Sequence, residues 1–180
     1  MHSLQLPMSD SLSSFETSLE SVDVQVTYTT PESFHEQLAT VIRSPAVGVP
    51  FDDEFDNPSL SLDRTVIDVD PTPVALRNAA TGVTPARLGI ADYGSVALYM
   101  TGHGSELVSL LVEHHVAVVR ADDIAPSLGS AMETLQTELD KTRGSAIVAT
   151  GPSATADMGE LVQGAHGPRK VDVIVVEEEV

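Results

Sequence analysis

The sequence predicts an α/β domain built on a parallel sheet, a three-layer arrangement of helices and strands. Three observations carry this. Residues 115–119, His-Val-Ala-Val-Val, form a continuous apolar run of the kind found in strands covered on both faces. From Asp122 onward, Ile124, Leu128, Ala131, Leu135 and Leu139 recur at helical spacing and draw one apolar stripe. Two further apolar segments, 145–150 and 171–176, follow, with a short helix predicted between them over 157–163. Strand, helix, strand, helix, strand with short loops implies right-handed crossovers and parallel pairing.

The earlier elements are read in chain order. Residues 1–21 form a polar, Ser-rich N-terminal segment, loose to about Ser14, with a short helix predicted over 15–21. Residues 22–180 form a single domain, with no internal repeat and no linker of domain-separating length. The alternation of apolar and polar residues in 22–28 predicts a strand with one wet face. Thr30, Pro31 and Glu32 make a helix start: a hydroxyl cap, proline at the first position, an acid in the first turn. That helix is expected to reach about Arg43 and to bury Phe34, Leu38, Val41 and Ile42. Residues 46–50 predict a short strand, and 51–64, rich in Asp, Asn, Ser and Pro, an exposed connection. Another short strand is predicted at 66–69, then a helical turn within 71–80. Segments 88–91 and 96–100 predict two strands joined by the tight turn Asp92-Tyr93-Gly94-Ser95, with Gly94 where positive φ is needed. Residues 106–113 predict a short helix.

Composition bounds the function. At 180 residues and 42% hydrophobic content the chain can bury a real core, and with 4% aromatics and no Trp that core must be aliphatic. A formal net charge of -18 repels phosphate backbones, so nucleic-acid binding is not expected. An acidic surface poor in lysine stays hydrated when concentrated salt screens its repulsion, so the charge is read as halophilic adaptation, with an acidic docking face as the rival reading. With no cysteine there is no disulfide, no thiol nucleophile and no cysteine-held iron–sulfur cluster. The N-terminus lacks the basic start and apolar core of a signal peptide, and no apolar run approaches bilayer-spanning length. The expectation is a cytoplasmic protein with no membrane contact.

Four segments are candidates for chemistry. Gly151-Pro-Ser-Ala-Thr-Ala-Asp157 is read as leaving the carboxyl end of a buried strand and entering a helix, where free amides and the Ser153 and Thr155 hydroxyls would receive a phosphate or carboxylate. The plain alternative is helix capping, since Asp157 and Glu160 have capping-box spacing. Residues His166, Gly167 and Arg169 either close that helix or form the cationic side of a pocket, with His166 available for proton transfer. Asp92 is a general-base candidate or a turn residue, with Gly94 and Ser95 beside it. His114 and His115 are adjacent on a strand, point to opposite faces and cannot easily share an ion, so no metal site is expected. No Walker loop, Gly-x-Gly-x-x-Gly or Gly-x-Ser-x-Gly follows a strand, so no cofactor is expected.

Four ordered stretches together resemble the LUD-domain family of lactate-utilisation proteins, in its protein C-like form. They are residues 83–95, the His-Val-Ala-Val-Val run from His115, the Gly-Pro-Ser-Ala-Thr-Ala-Asp segment from Gly151, and Gly-Ala-His-Gly-Pro-Arg over 164–169. The resemblance implies a fold like that of the sugar-phosphate isomerase and coenzyme A transferase superfamily. It also implies an accessory place in lactate (hydroxyacid) oxidation beside sister subunits that carry iron–sulfur clusters. On that reading Gly151, Ser153, Thr155, Asp157, His166, Gly167 and Arg169 bind a small anion or help to dock the redox subunits. The alternatives are a stand-alone sugar-phosphate isomerase-like or acyl/CoA-related enzyme using Asp92 or His166, and a non-catalytic interaction protein.

Overall fold

The computed structural model describes residues 8–52, 54–157, 160–164 and 166–178, and of residues 8, 9, 155–157 and 160–163 only the backbone. In chain order the elements are α1 (Met8–Ser21), β1 (Gln25–Thr29), α2 (Phe34–Val41), β2 (Ala46–Gly48), α3 (Pro73–Asn78), β3 (Thr81–Pro85), β4 (Leu88–Ile90), β5 (Ser95–Tyr99), α4 (Ser105–Leu111), β6 (His114–Arg120), β7 (Ile124–Ala125), α5 (Leu128–Thr142), β8 (Ala146–Ala149), β9 (Ala154–Asp157), β10 (Glu160–Gln163) and β11 (Lys170–Val176).

The expected parallel sheet is present, with five strands in the order β1-β11-β6-β3-β2. A second, four-stranded sheet in the order β7-β4-β5-β8 is mixed, and β9 and β10 form a separate antiparallel pair. Between the two sheets lies a core of α1 residues Phe15 and Leu19, Val96 and Leu98 of β5, and Ala117, Val119, Val173 and Val175. The opposite face of the parallel sheet packs Val83, Val116, Val118, Ile174 and Val176 against Phe34 and Leu38 of α2. Helix α5 covers the far face of the second sheet, placing Ala131 and Leu135 on Leu88, Ile90 and Ala97.

Several expectations are corrected. The helix predicted at 15–21 runs Met8–Ser21, its earlier turn packing Leu12 against the core that Phe15 and Leu19 enter. The 51–64 segment is no exposed connection: Phe51, Phe55, Leu60 and Leu62 are buried in the α2-side core, while Asp52, Asp56, Pro58 and Ser59 between them face water. The strand at 66–69 shrinks to a single bridge between Val47 and Asp68, and Val66 is exposed. The apolar stripe from Ile124 divides, its first residue pairing in β7 before α5 begins at a Ser127–Ser130 capping box. Strand β8 is not a covered member of the parallel sheet. It is an antiparallel edge of the second sheet, its residues only partly shielded and Val148 exposed.

The largest correction is at 157–163, where the predicted helix is replaced by the β9–β10 pair. The four-residue ladder satisfies its backbone groups strand to strand, and the capping-box spacing of Asp157 and Glu160 instead marks directly paired positions. The β4–β5 hairpin stands as expected, with Gly94 at φ 59° and so close to α1 that a Cβ there would lie 2.5 Å from the Ser18 backbone.

Candidate functional site

Loss of the predicted helix removes the ring of free amides on which the anion reading first leaned. What the structure puts in its place is a junction of two loops. Beyond β8 the chain turns at Gly151 and runs beside the segment that enters β11. The Ser153 amide donates to the Pro168 carbonyl at 2.8 Å, and the Gly164 amide donates to the Ser153 carbonyl at 2.8 Å. Gly167 faces the Ser153 side chain, its missing Cβ only 3.0 Å from the Ser153 Cβ. The Arg169 amide donates to the Glu113 carbonyl at 2.8 Å, which anchors the second loop to the turn before β6.

Two neighbouring hollows open at this junction. The inner one, about 430 Å³, is lined by Gly151, Ser153, His166 and Gly167 and floored by His115 and Val171. The outer one, about 560 Å³, holds Arg169, Glu113, Leu111 and Gly164. Leu110, His166 and Gly167 line both. Gly164 gives room for the Arg169 stem: a Cβ at Gly164 would fall 2.1 Å from the Arg169 Cγ.

The place of these hollows in the sheet differs from expectation. His115 and Val171 are the second residues of parallel strands β6 and β11, so the inner hollow sits at the amino edge of the parallel sheet. Open α/β sheets ordinarily bind ligands at the carboxyl edge. The Gly151 loop does leave the carboxyl end of β8, but β8 belongs to the other sheet and delivers the loop to the opposite end.

Of the residues singled out in the sequence, Gly151, Ser153, His166, Gly167 and Arg169 are brought together, and His166 and Arg169 are exposed. Thr155 and Asp157 lie on the β9 backbone; their side chains fall outside the described residues. Ser95 reaches the site's margin, its Oγ 2.6 Å from Oγ1 of Thr150, which lines the inner hollow. Asp92 does not join it. Its Oδ1 accepts from the Leu128 amide at 2.9 Å, at the start of α5.

The sequence reading missed His115 as part of the site. It is 2% exposed, with Nε2 2.9 Å from Thr84 Oγ1. Burial, aided by neighbouring His114, pushes its imidazole down to about 4, so it stays neutral near pH 7. On the opposite face His114 Nε2 lies 2.9 Å from Asp172 Oδ2, and Lys170 Nζ donates to the same oxygen at 2.6 Å. Burial works against the Asp172 carboxylate, but the hydrogen bonds from His114 and Lys170 outweigh it and hold the group below its usual range. The expected opposite orientation of the two histidines is therefore observed. Among the described residues, no three His, Cys, Asp or Glu side chains gather as a metal site, and no helix is long and apolar enough to cross a membrane.

The LUD-domain family profile matches residues 72–176, which takes in β3 through β11 and both loops of the junction. The chain belongs to the LUD-domain family. Proteins similar to this LUD domain include "Lactate utilization protein C" of Bacillus licheniformis, 34% identical over 104 residues, covering 56% of this chain and 43% of the relative. The protein of the same name from Deinococcus radiodurans is 33% identical over 104 residues, covering 56% of this chain and 48% of its own length. That from Bacillus subtilis strain 168 is 33% identical over 104 residues, covering 56% and 43%. The LUD domain thus spans a little under half the length of these relatives. The crystal structure of a DUF162-family protein from Deinococcus radiodurans superposes with a TM-score of 0.73, covering 96% of this chain and 99% of that one at 19% identity, a likeness of fold.

Proposed function

We propose that this LUD domain serves lactate utilisation as an accessory subunit, capturing a small carboxylate at the junction of its two loops and working beside iron–sulfur redox proteins. The observation that carries the reading is the convergence of Gly151, Ser153, His166, Gly167 and Arg169 on adjoining hollows from two separate stretches of chain. Arg169 supplies a planar fork suited to a carboxylate, and His166 a ring nitrogen beside it. The names of the relatives support lactate utilisation as the setting. The absence of cysteine is consistent with redox clusters residing on partner chains. The acidic composition supports a salt-loaded cytoplasm as the working medium.

A stand-alone isomerase is less well supported. Of its two candidate proton carriers, Asp92 in the β4–β5 turn is engaged with the α5 amino end and lines neither hollow, which leaves His166 alone at the site. The test is a thermal-shift series in concentrated KCl with L-lactate, pyruvate, inorganic phosphate and a sugar phosphate, joined to co-purification from the source cell. The carboxylates should stabilise the fold, by about 2.7 kcal/mol at a hundredfold excess over Kd, and cysteine-rich iron–sulfur proteins should co-purify. Stabilisation by the sugar phosphate alone, with no redox protein retained, would contradict the reading.

A further inference from the structure

We propose that the two hollows act as one bipartite site for an amphipathic carboxylate, its head group at Arg169 and its apolar tail laid along the inner hollow toward His115. This rests on the carboxylate reading above and names the class of ligand. Size is the first argument. The inner hollow alone measures about 430 Å³ and the outer about 560 Å³, in the range of pockets that enclose ligands far larger than a three-carbon acid.

Chemical asymmetry is the second. The outer hollow carries the ionisable groups Arg169 and Glu113, with His166 at the boundary. Among the described residues, the inner hollow holds no carboxylate, lysine or arginine, and the apolar part of its wall comes mainly from Leu110, Ile147, Ala149, Pro152 and Val171. Of the five polar side chains that line it, three have partners within the fold, and the other two, Ser153 and His166, belong to the loop junction. Ser109 Oγ donates to the Glu106 carbonyl at 3.0 Å, Thr150 Oγ1 lies 2.6 Å from Ser95 Oγ, and His115 Nε2 lies 2.9 Å from Thr84 Oγ1. A neutral, buried imidazole at the floor gives no charge to hold an anion there, so the charged end of a ligand belongs at the mouth. Leu110, 43% exposed on α4, lines both hollows and would be covered by a bound tail.

The test is isothermal titration of the full chain with 2-hydroxy acids of increasing length, from lactate to 2-hydroxydecanoate, below their micelle concentrations and at fixed KCl. The expected result is affinity rising roughly fourfold per added methylene over the first several carbons. That slope should be lost in Ala149→Phe, which fills the inner hollow, and reduced in Leu110→Asn. Lactate binding that depends on Arg169 but does not strengthen with length would overturn the bipartite site and leave the carboxylate reading standing. If no acid of any length binds, both fall. A slope that survives unchanged in both Ala149→Phe and Leu110→Asn would place the tail elsewhere and overturn the proposal.

Discussion

At the scale of single residues, the histidine pair opening β6 shows how one strand serves two faces. His114 turns to Asp172 and Lys170 on the α2 side, and His115 to Thr84 beneath the inner hollow. His115 carries a pH signature. Its folded-state value of about 4 lies below its ordinary 6.5, so on acidification the unfolded chain takes up a proton that the folded chain refuses. Stability from this group is complete above pH 6.5 and drains away between 6.5 and 4, by on the order of 3 kcal/mol. Asp172, held low, adds a loss in the same direction only as pH falls through its own depressed value. Urea melts of wild type and His115→Gln at several pH values check this: the fall from pH 7 to 5 should be steep in wild type and shallower in the variant. Parallel curves would contradict the assignment. The histidine run and its strand are legible in the sequence, but their partners are not. Thr81 and Thr84 sit in Thr-Gly-Val-Thr-Pro, which lacks the apolar signature of a strand although all five residues are buried in β3. Their hydroxyls lie 3.4 Å from His114 Nδ1 and 2.9 Å from His115 Nε2, so the polarity that hides this strand is what its neighbour requires.

At the scale of elements, the sequence is most readable where one face alone is wet or none is. Strands β4, β5, β6 and β11 and helix α5 follow from apolar runs and periodicity. Two of the misreadings share a cause, in that local polarity mimics exposure in one segment and a helix cap in the other. In 51–64 two Phe and two Leu spaced among acids carry the burial, a sparse pattern that reads as loop. In 154–163 the acids at 157 and 160 imitate a capping box, while four-residue segments either side of Met158-Gly159 match a short hairpin equally well. The correction moves the proposed anion site from a helix end to a loop junction, where Gly151, Ser153, His166, Gly167 and Arg169 line adjoining hollows. Asp92 tests the distinction between support and chemistry. Asp92→Ala removes an acceptor from the first turn of α5 and should cost about 1 kcal/mol in stability, with carboxylate binding unchanged by calorimetry. Lost binding in a folded variant would return Asp92 to the site.

At the scale of the whole molecule, 27 acidic residues stand against nine basic ones, the excess behind the proposed salt-loaded medium. Three of the nine cations, Arg87, Arg120 and Lys170, are committed to ion pairs among the described residues. Arg87 pairs with Glu138 and Asp123, clamping α5 to the second sheet, and Arg120 lies 3.5 Å from Glu178. Excess carboxylates repel across the surface until salt shortens the reach of charge from about 10 Å at 0.1 M to about 3 Å at 1 M. The melting temperature should therefore rise steadily between 0.1 and 2 M KCl, by scanning calorimetry, and a flat or falling profile would favour a dedicated acidic docking face over salt adaptation. What sets Arg169 apart from the other exposed arginines is its place at the loop junction, bordering the outer hollow. The central claim, that two loops converge on one carboxylate site, is tested most directly by isothermal titration of L-lactate into wild type and Arg169→Ala at matched KCl. Saturable binding that weakens at least about tenfold in the variant is the predicted result. Identical isotherms for the two proteins, or no heat from either, would contradict it.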